Sequence, residues 1–377
     1  MTLPGALSAV TLLDAVPIPP PDPLGYPLPP VMIQVLAWLT LALHFLAVNF
    51  TLGGLLLLLW IRIRNRDELE PARKFLTTAL PLGFSYLVTL GIPPLLFVQV
   101  LYGQMFYSSS VVIGAWWILV IPLLISAYGL LYLHKLKENA RPRVKIIHLA
   151  SAAVAMLLVG FIYVNNLTLA QTPNRWMEIY AANPAGSSLN LGEAILFPRY
   201  LLFMSPTLVV GGLALILAGA YMKNGGPSLK LGFRAYVAGR VIMAAAGAWL
   251  IAALPERIRN LVFEGGAPTA HLAAGFGLAL VAAGLAAAAF KKKSLRLGVV
   301  SAVVMLVEAL TFVGLRDQVR IAYLADYFKM DKVPVHGQWG MFSLFAVTMV
   351  SGLAFIIVLT VKVASNAAAA RKAAEPV

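Results

Sequence analysis

The chain has 377 residues, 60% of them hydrophobic and 12% charged, with a mean hydropathy of +0.84. Soluble domains carry about 25% charged residues, so the composition excludes one and points to an all-α polytopic membrane helix bundle. A membrane barrel is excluded too, because its strands alternate while these apolar runs are continuous. With no cysteine, disulfides, thiolate metal sites and iron–sulfur clusters ligated by this chain are also excluded.

Residues 1–30 open with an apolar segment whose first charge is Asp14, without the cationic start of a cleavable signal. They end in PIPPPDPLGYPLPP, eight prolines in fourteen residues, which favours extended polyproline II over helix. This reads as an extracytoplasmic strap leading into the first span. That span, 31–60, runs for thirty residues without a charge, where about 20 suffice to cross a bilayer. His44 lies near its middle, with Thr40, Val48 and Thr51 on the same helical face.

The second span is expected over 75–102, kinked by Gly91-Ile92-Pro93-Pro94, since proline removes a helix hydrogen bond. A polar turn, YGQMFYSSS, separates it from the third, 111–133. The fourth is 146–169, followed by an outer loop over 171–194. The fifth (195–222) opens with LFPRYLLFM, the sixth (233–254) contains Arg240, and the seventh (268–290) carries His271 in its first turn. The eighth, 297–315, continues past the bilayer through RDQVRIAYLADYF, and the ninth is 340–361. The domain reading is a strap (1–30), a bundle (31–363) and a short cytoplasmic tail (364–377).

Nine spans put the termini on opposite sides. The loops after spans one, three, five and seven, with the tail, hold 20 of the 29 Lys+Arg and 5 acids; the other side holds 8 and 9. The positive-inside rule therefore predicts an outer N-terminus and a cytoplasmic C-terminus. The net charge of +14 is a topology signal and implies no nucleic-acid partner. Trp116, Trp117, Trp176 and Trp339 read as interfacial belt residues.

Among five histidines only His44 is deep; His134 and His148 sit at cytoplasmic helix ends, and His336 lies in the loop before the ninth span. The residues leave three roles open for His44: a structural histidine bonded to a carbonyl, a haem ligand, or a quinone contact. A haem b between helices usually takes two axial ligands, and the other candidates are Met204, Met243, Met305 and His271. Glu308 is the sole acid inside a span, which marks it for pairing or a proton path. Arg240, two turns from the cytoplasmic face, is expected to snorkel, with a Glu308–Arg240 pair as the alternative. Arg199, Arg316 and Arg320 gather at the outer face, Asp317 pairing with Arg320 at i, i+3. They read either as a salt-bridged helix end or as a surface for a quinone headgroup or an acidic partner.

LALHFLAVNFTLGG (41–54), GFSYLVTLGIPPLLFVQVLYG (83–103) and LFPRYLLF (196–203) resemble the large subunit of cytochrome bd quinol oxidases. The chain looks closest to relatives of that group that accompany periplasmic multihaem c-type cytochromes. The resemblance implies a haem-ligand role for His44. Two departures weaken any oxidase activity: Leu202 follows Pro198-Arg199-Tyr200-Leu201 where relatives often have histidine, and no long quinol-binding loop is found. The expectation is a multi-pass subunit of the bacterial inner membrane. It exchanges electrons between quinone or menaquinone and a periplasmic cytochrome c or other extracytoplasmic redox subunit. His44, His271, Arg199, Arg316 and Arg320 form its cofactor and quinone contacts, and Glu308 its proton path. A non-redox scaffold for extracytoplasmic subunits is the competing class. A transporter fits less well, since the break in the second span has no counterpart in the second half.

Overall fold

The structure, a computed structural model, describes residues 18–137, 141–222 and 224–373. The first seventeen residues of the expected strap, 138–140 of the connection after the third span and 374–377 of the tail lie outside the described residues. Among the described residues, nine helices or joined helix pairs are long and apolar enough to cross a membrane. Those residues hold no strand, and Tyr26 and Val335 form an isolated bridge. The architecture is an all-α polytopic bundle. Its two ends are called here the strap end, near Tyr26, and the basic end, near Arg62 and Arg64.

Helix α1 (Pro30–Arg64) is defined by its ends. Proline at the first position fits the helix because its missing N–H would be unpaired there anyway. Two arginines in the last turn oppose the helix dipole, and Asn65 closes it in the left-handed conformation, its N–H bonding the Ile61 carbonyl. Helix α1 packs on α2 (Glu70–Val112), on α4 (Pro142–Leu169), on α7 (Pro206–Tyr221) and on α11 (Leu295–Leu324). It touches α7 at backbone range: a Cβ on Gly53 would lie 1.8 Å from the Thr207 carbonyl oxygen. Small residues permit such approach where lipid offers no hydrophobic drive for association.

Two expectations for α2 are corrected. Pro93 and Pro94 do not interrupt it; the non-helical residue is Tyr102, at φ −136° and ψ 33°. The expected polar turn, 102–110, is helical past the Tyr102 break, over 103–110. Its polarity is satisfied locally: Ser109 and Ser110 hydroxyls donate to the Phe106 carbonyl, at 3.0 and 2.7 Å, and Asn166 of α4 donates to the Ser110 hydroxyl. Serine back-bonding of this kind lets polar residues stay inside a helix.

Helix α3 (Gly114–Leu136) follows, and after α4 come the short α5 (Trp176–Ala182) and α6 (Leu196–Met204). Helices α6 and α7 together make the fifth span, Leu196–Tyr221, divided at Ser205. Pro206 cannot donate to the Leu202 carbonyl, and the Ser205 hydroxyl takes that acceptor at 3.1 Å. The bundle continues with α8 (Gly226–Ala253), the amphipathic α9 (Glu256–Phe263), α10 (Ala267–Lys292) and α11. Helix α12 (Trp339–Ala373) is the ninth span and runs past the expected bundle limit at 363. No residue of its apolar window is buried, and Phe345 meets Phe97 of α2 edge-on at 5.7 Å.

At the strap end, residues 24–28 lie against 334–338. The Tyr26 N–H donates to Pro334, His336 N–H to Tyr26 and Gln338 N–H to Pro27, each at 2.8 Å. Gly25 turns with φ +66°, and a Cβ there would lie 2.3 Å from the Pro334 oxygen, so glycine is required. His336 Nδ1 bonds the Leu24 carbonyl at 2.8 Å.

Candidate functional site

A cavity of about 320 Å³ opens between α1, α6, α7, α8, α10 and α11. Its wall is mainly apolar, and its charged residues are Arg199, Arg240, Glu308 and Arg316. The α11 side is one helical stripe, Glu308, Phe312, Leu315, Arg316, Val319 and Tyr323, at the three- and four-residue spacing of a single face.

At the inner end, Arg240 of α8 holds Glu308 with both terminal nitrogens, one bond being Nη2 to Oε2 at 2.8 Å. Arg240 also reaches the Tyr236 hydroxyl at 3.0 Å. The snorkelling expected for Arg240 is therefore corrected: the guanidinium turns inward, its side chain only 15% exposed. A buried carboxylate 68 residues away offers a bidentate partner that outcompetes a long reach to the interface.

Eight residues along α11, roughly 12 Å at 1.5 Å rise, Arg316 shares a phenyl ring with Arg199. The two guanidinium carbons lie 5.8 Å from the Phe203 centroid, and each makes a cation–π contact. Arg199, 5% exposed, donates to Gln171 at 2.8 Å and to Thr168 at 3.3 Å. Arg316 Nε and the Tyr323 hydroxyl are buried without a hydrogen-bond partner. Glu193, on the connection before α6, has its carboxyl pKa raised by burial, with Arg175 opposing the shift.

Arg320 and His271 sit apart from this cavity. Arg320 pairs with Asp317 at 3.4 Å, the i, i+3 contact the sequence predicts, and lies over the Tyr102 ring. The Asp317 carboxylate also accepts from Gln34 at 3.0 Å, Trp38 at 3.1 Å and Tyr102 at 3.1 Å. His271 bonds the Ala267 carbonyl at 2.8 Å and meets Trp38 edge-on. Asp317, Arg320 and these partners are a filled polar network that fixes α1, α2 and α11 together.

His44 lies on the α2 side of α1. Its Nδ1 is 3.0 Å from the Leu87 carbonyl, and its ring fits where Gly91 has no Cβ: one placed there would lie 2.8 Å from Cε1. A carbonyl on one ring nitrogen leaves Nε2 as the coordinating atom, the arrangement of many iron-ligating histidines. The proposed second ligands have other neighbours, however. Met243 and Met305 line the cavity, Met204 abuts Gly160, and His271 abuts Gly314.

Two further expectations are corrected. Trp176 is 4% exposed and donates to the Leu169 carbonyl, so it is a core residue and not a belt residue. His134, expected at the interface, is 2% exposed. Phe203 and Tyr323 were not anticipated at the site. Both had a signal in the sequence: Phe203 in its i+4 spacing from Arg199, and Tyr323 in its i+7 spacing from Arg316 along the expected extension of the eighth helix.

No protein-family model and no curated protein matches the chain. Among solved structures, it is similar to the bd oxidase of Geobacillus thermodenitrificans, with TM-score 0.63 and 13% identity over 90% of this chain and 99% of that one. The chain has a bd-oxidase fold. The short sequence resemblances at 41–54, 83–103 and 196–203 thus extend to nearly the whole architecture, and those segments carry His44, Gly91 and Arg199.

Proposed function

We propose that this chain is a quinone-interacting membrane subunit of bacterial respiratory electron transfer. The observation that carries the reading is the apolar intramembrane cavity within a bd-oxidase fold, with cationic groups at one end and an Arg240–Glu308 pair at the other. Ligand sites of this kind are mainly apolar with a few convergent polar groups, which suits a quinone ring on an isoprenoid tail. Arg199 and Arg316 contact ring oxygens, and Glu308, released from Arg240, carries a proton between the ring and the basic end. Electrons pass to or from a periplasmic cytochrome c or another extracytoplasmic redox subunit docked at the strap end. In this reading the strap end is outside the inner membrane.

The test is photolabelling of the full chain in membranes with an azidoquinone, followed by peptide mapping. Label on the cavity faces of α8 and α11 is expected, and label confined to other helices overturns the assignment. Glu308→Gln should then slow quinol-dependent reduction of the partner by roughly 10²-fold, the scale of a lost acid–base group, with labelling retained. A reduced-minus-oxidised visible spectrum reads haem directly, and a b-type signal lost in His44→Ala would assign an iron ligand here.

A second reading, a non-redox anchor for extracytoplasmic subunits, is favoured by the exposed ninth span. It predicts an intact complex and normal electron flow after His44 and Glu308 are replaced together.

A further inference from the structure

The strap end of the cavity, called its mouth below, gathers two guanidinium groups that have no ion-paired carboxylate. Arg199 and Arg316 flank Phe203, and among the described residues neither has a carboxylate within ion-pair distance. The acid adjacent to Arg316, Asp317, is occupied by Arg320, Gln34, Trp38 and Tyr102. Glu193 lies within electrostatic range of Arg175 and Tyr323 and makes no ion pair with Arg199 or Arg316. Charged groups inside a membrane normally pair or mark a ligand path, and a guanidinium is built to bind carboxylate or phosphate through parallel N–H donors.

Two further observations point into the same space. Among the described residues Arg316 has no hydrogen-bond partner, its Nε being buried, and the buried Tyr323 hydroxyl lacks a partner there as well. Beyond them the wall is almost wholly apolar as far as the Arg240–Glu308 pair. The geometry thus has two parts, a cationic donor cluster and a hydrocarbon-lined slot behind it.

We propose that this mouth binds an anionic amphiphile, its acidic head held by Arg199, Arg316 and Tyr323 and its hydrocarbon chain lying in the cavity. The inference goes beyond the quinone reading and does not rest on it. The head is a phosphate diester or a carboxylate, the shared chemistry being a compact anion on an apolar chain. A neutral quinone supplies only acceptor oxygens at the mouth, whereas the anionic head also supplies the missing charge. An acidic lipid there therefore competes with any quinone for the entrance.

The experiment uses the full chain, delipidated in neutral detergent, with native mass spectrometry as the readout. The probes are phosphatidylglycerol, phosphatidylcholine with the same acyl chains, oleate, and inorganic phosphate. Phosphatidylglycerol or oleate should bind at least tenfold more tightly than phosphatidylcholine. The preference should be lost in Arg316→Gln and largely kept in Arg316→Lys. Arg316 is the position to change because it holds no protein hydrogen bond, so its replacement leaves the fold intact. Tyr323→Phe, which removes one hydroxyl, should weaken binding several-fold and serves if Arg316→Gln is lost in purification.

Binding of oleate alone would place a carboxylate at the mouth, and of phosphatidylglycerol alone a phosphate; either supports the site. Equal binding of phosphatidylglycerol and phosphatidylcholine overturns it. So does unchanged preference in Arg316→Gln, or displacement of phosphatidylglycerol by equimolar inorganic phosphate, which would show a bare anion site. Azidoquinone labelling of α8 and α11 is read separately: label present with no anionic preference removes this inference alone. Anionic preference without label removes only the quinone assignment.

Discussion

At the scale of single residues, Asp317 and the Arg199–Arg316 pair show opposite ways of placing charge inside a bundle. The Asp317 carboxylate is 4% exposed and accepts from four side chains on three helices. Asp317→Ala would leave Arg320 buried without its counter-ion and strand the donors of Gln34, Trp38 and Tyr102. Breaking a buried pair by removing one partner costs about 3–5 kcal/mol, and a chain of marginal stability feels such a loss strongly. Thermal unfolding in detergent should fall clearly for Asp317→Ala and less for Asp317→Asn, which keeps an acceptor oxygen. Equal midpoints for wild type and Asp317→Ala would mean that water already fills the network. Arg316 makes the contrast: it contributes little to this network, so its replacement should leave the unfolding midpoint nearly unchanged.

At the scale of elements, the spans were legible and their joints were not. Continuous apolar runs between charges locate helices because lipid demands internally bonded backbone. The depth of His44 follows from the same count, but its partners, Leu87 and Gly91, follow only from how α1 packs on α2. For Arg240 the sequence offered both a reach to the interface and a pair with Glu308, and only the fold decides for the pair. Proline was an ambiguous guide: it divides the fifth span at Ser205, yet α2 passes through Pro93 and Pro94 and yields at Tyr102. The strap explains part of that last choice. Tyr26, whose phenol pKa is pushed up to about 12 by burial, donates its hydroxyl to the Leu101 carbonyl at 3.0 Å, beside the break. Tyr26→Phe would remove a hydrogen bond to a buried backbone carbonyl, a cost of about 0.5–1.5 kcal/mol. Hydrogen exchange should rise at 24–28 and 334–338 together, because the two segments share the same backbone bonds. Faster exchange at neither segment would mean that the backbone bridge alone fixes the strap.

At the scale of the molecule, the charge asymmetry and the cavity make linked demands on orientation. The end carrying Arg62, Arg64, Lys135 and Lys291 to Lys293 is the basic one, and cytoplasmic loops are enriched in Lys and Arg. The cavity mouth lies towards the opposite end, with Arg199, Arg316 and Tyr323, so positive-inside topology directs it to the outer leaflet. A periplasmic electron carrier would then meet the strap-end connections, and an acidic lipid would enter from the outer leaflet. The absence of cysteine makes this directly measurable. A single cysteine at Val335, 46% exposed in the strap-end loop, or at exposed Lys292 on the basic end, can be probed in intact cells with a membrane-impermeant maleimide. Labelling of the Val335→Cys chain and protection of the Lys292→Cys chain are expected, with both labelled after lysis. The reverse pattern would put the mouth in the cytoplasmic leaflet. A periplasmic cytochrome could not then be the partner, although the charge pairing inside the cavity would stand unchanged.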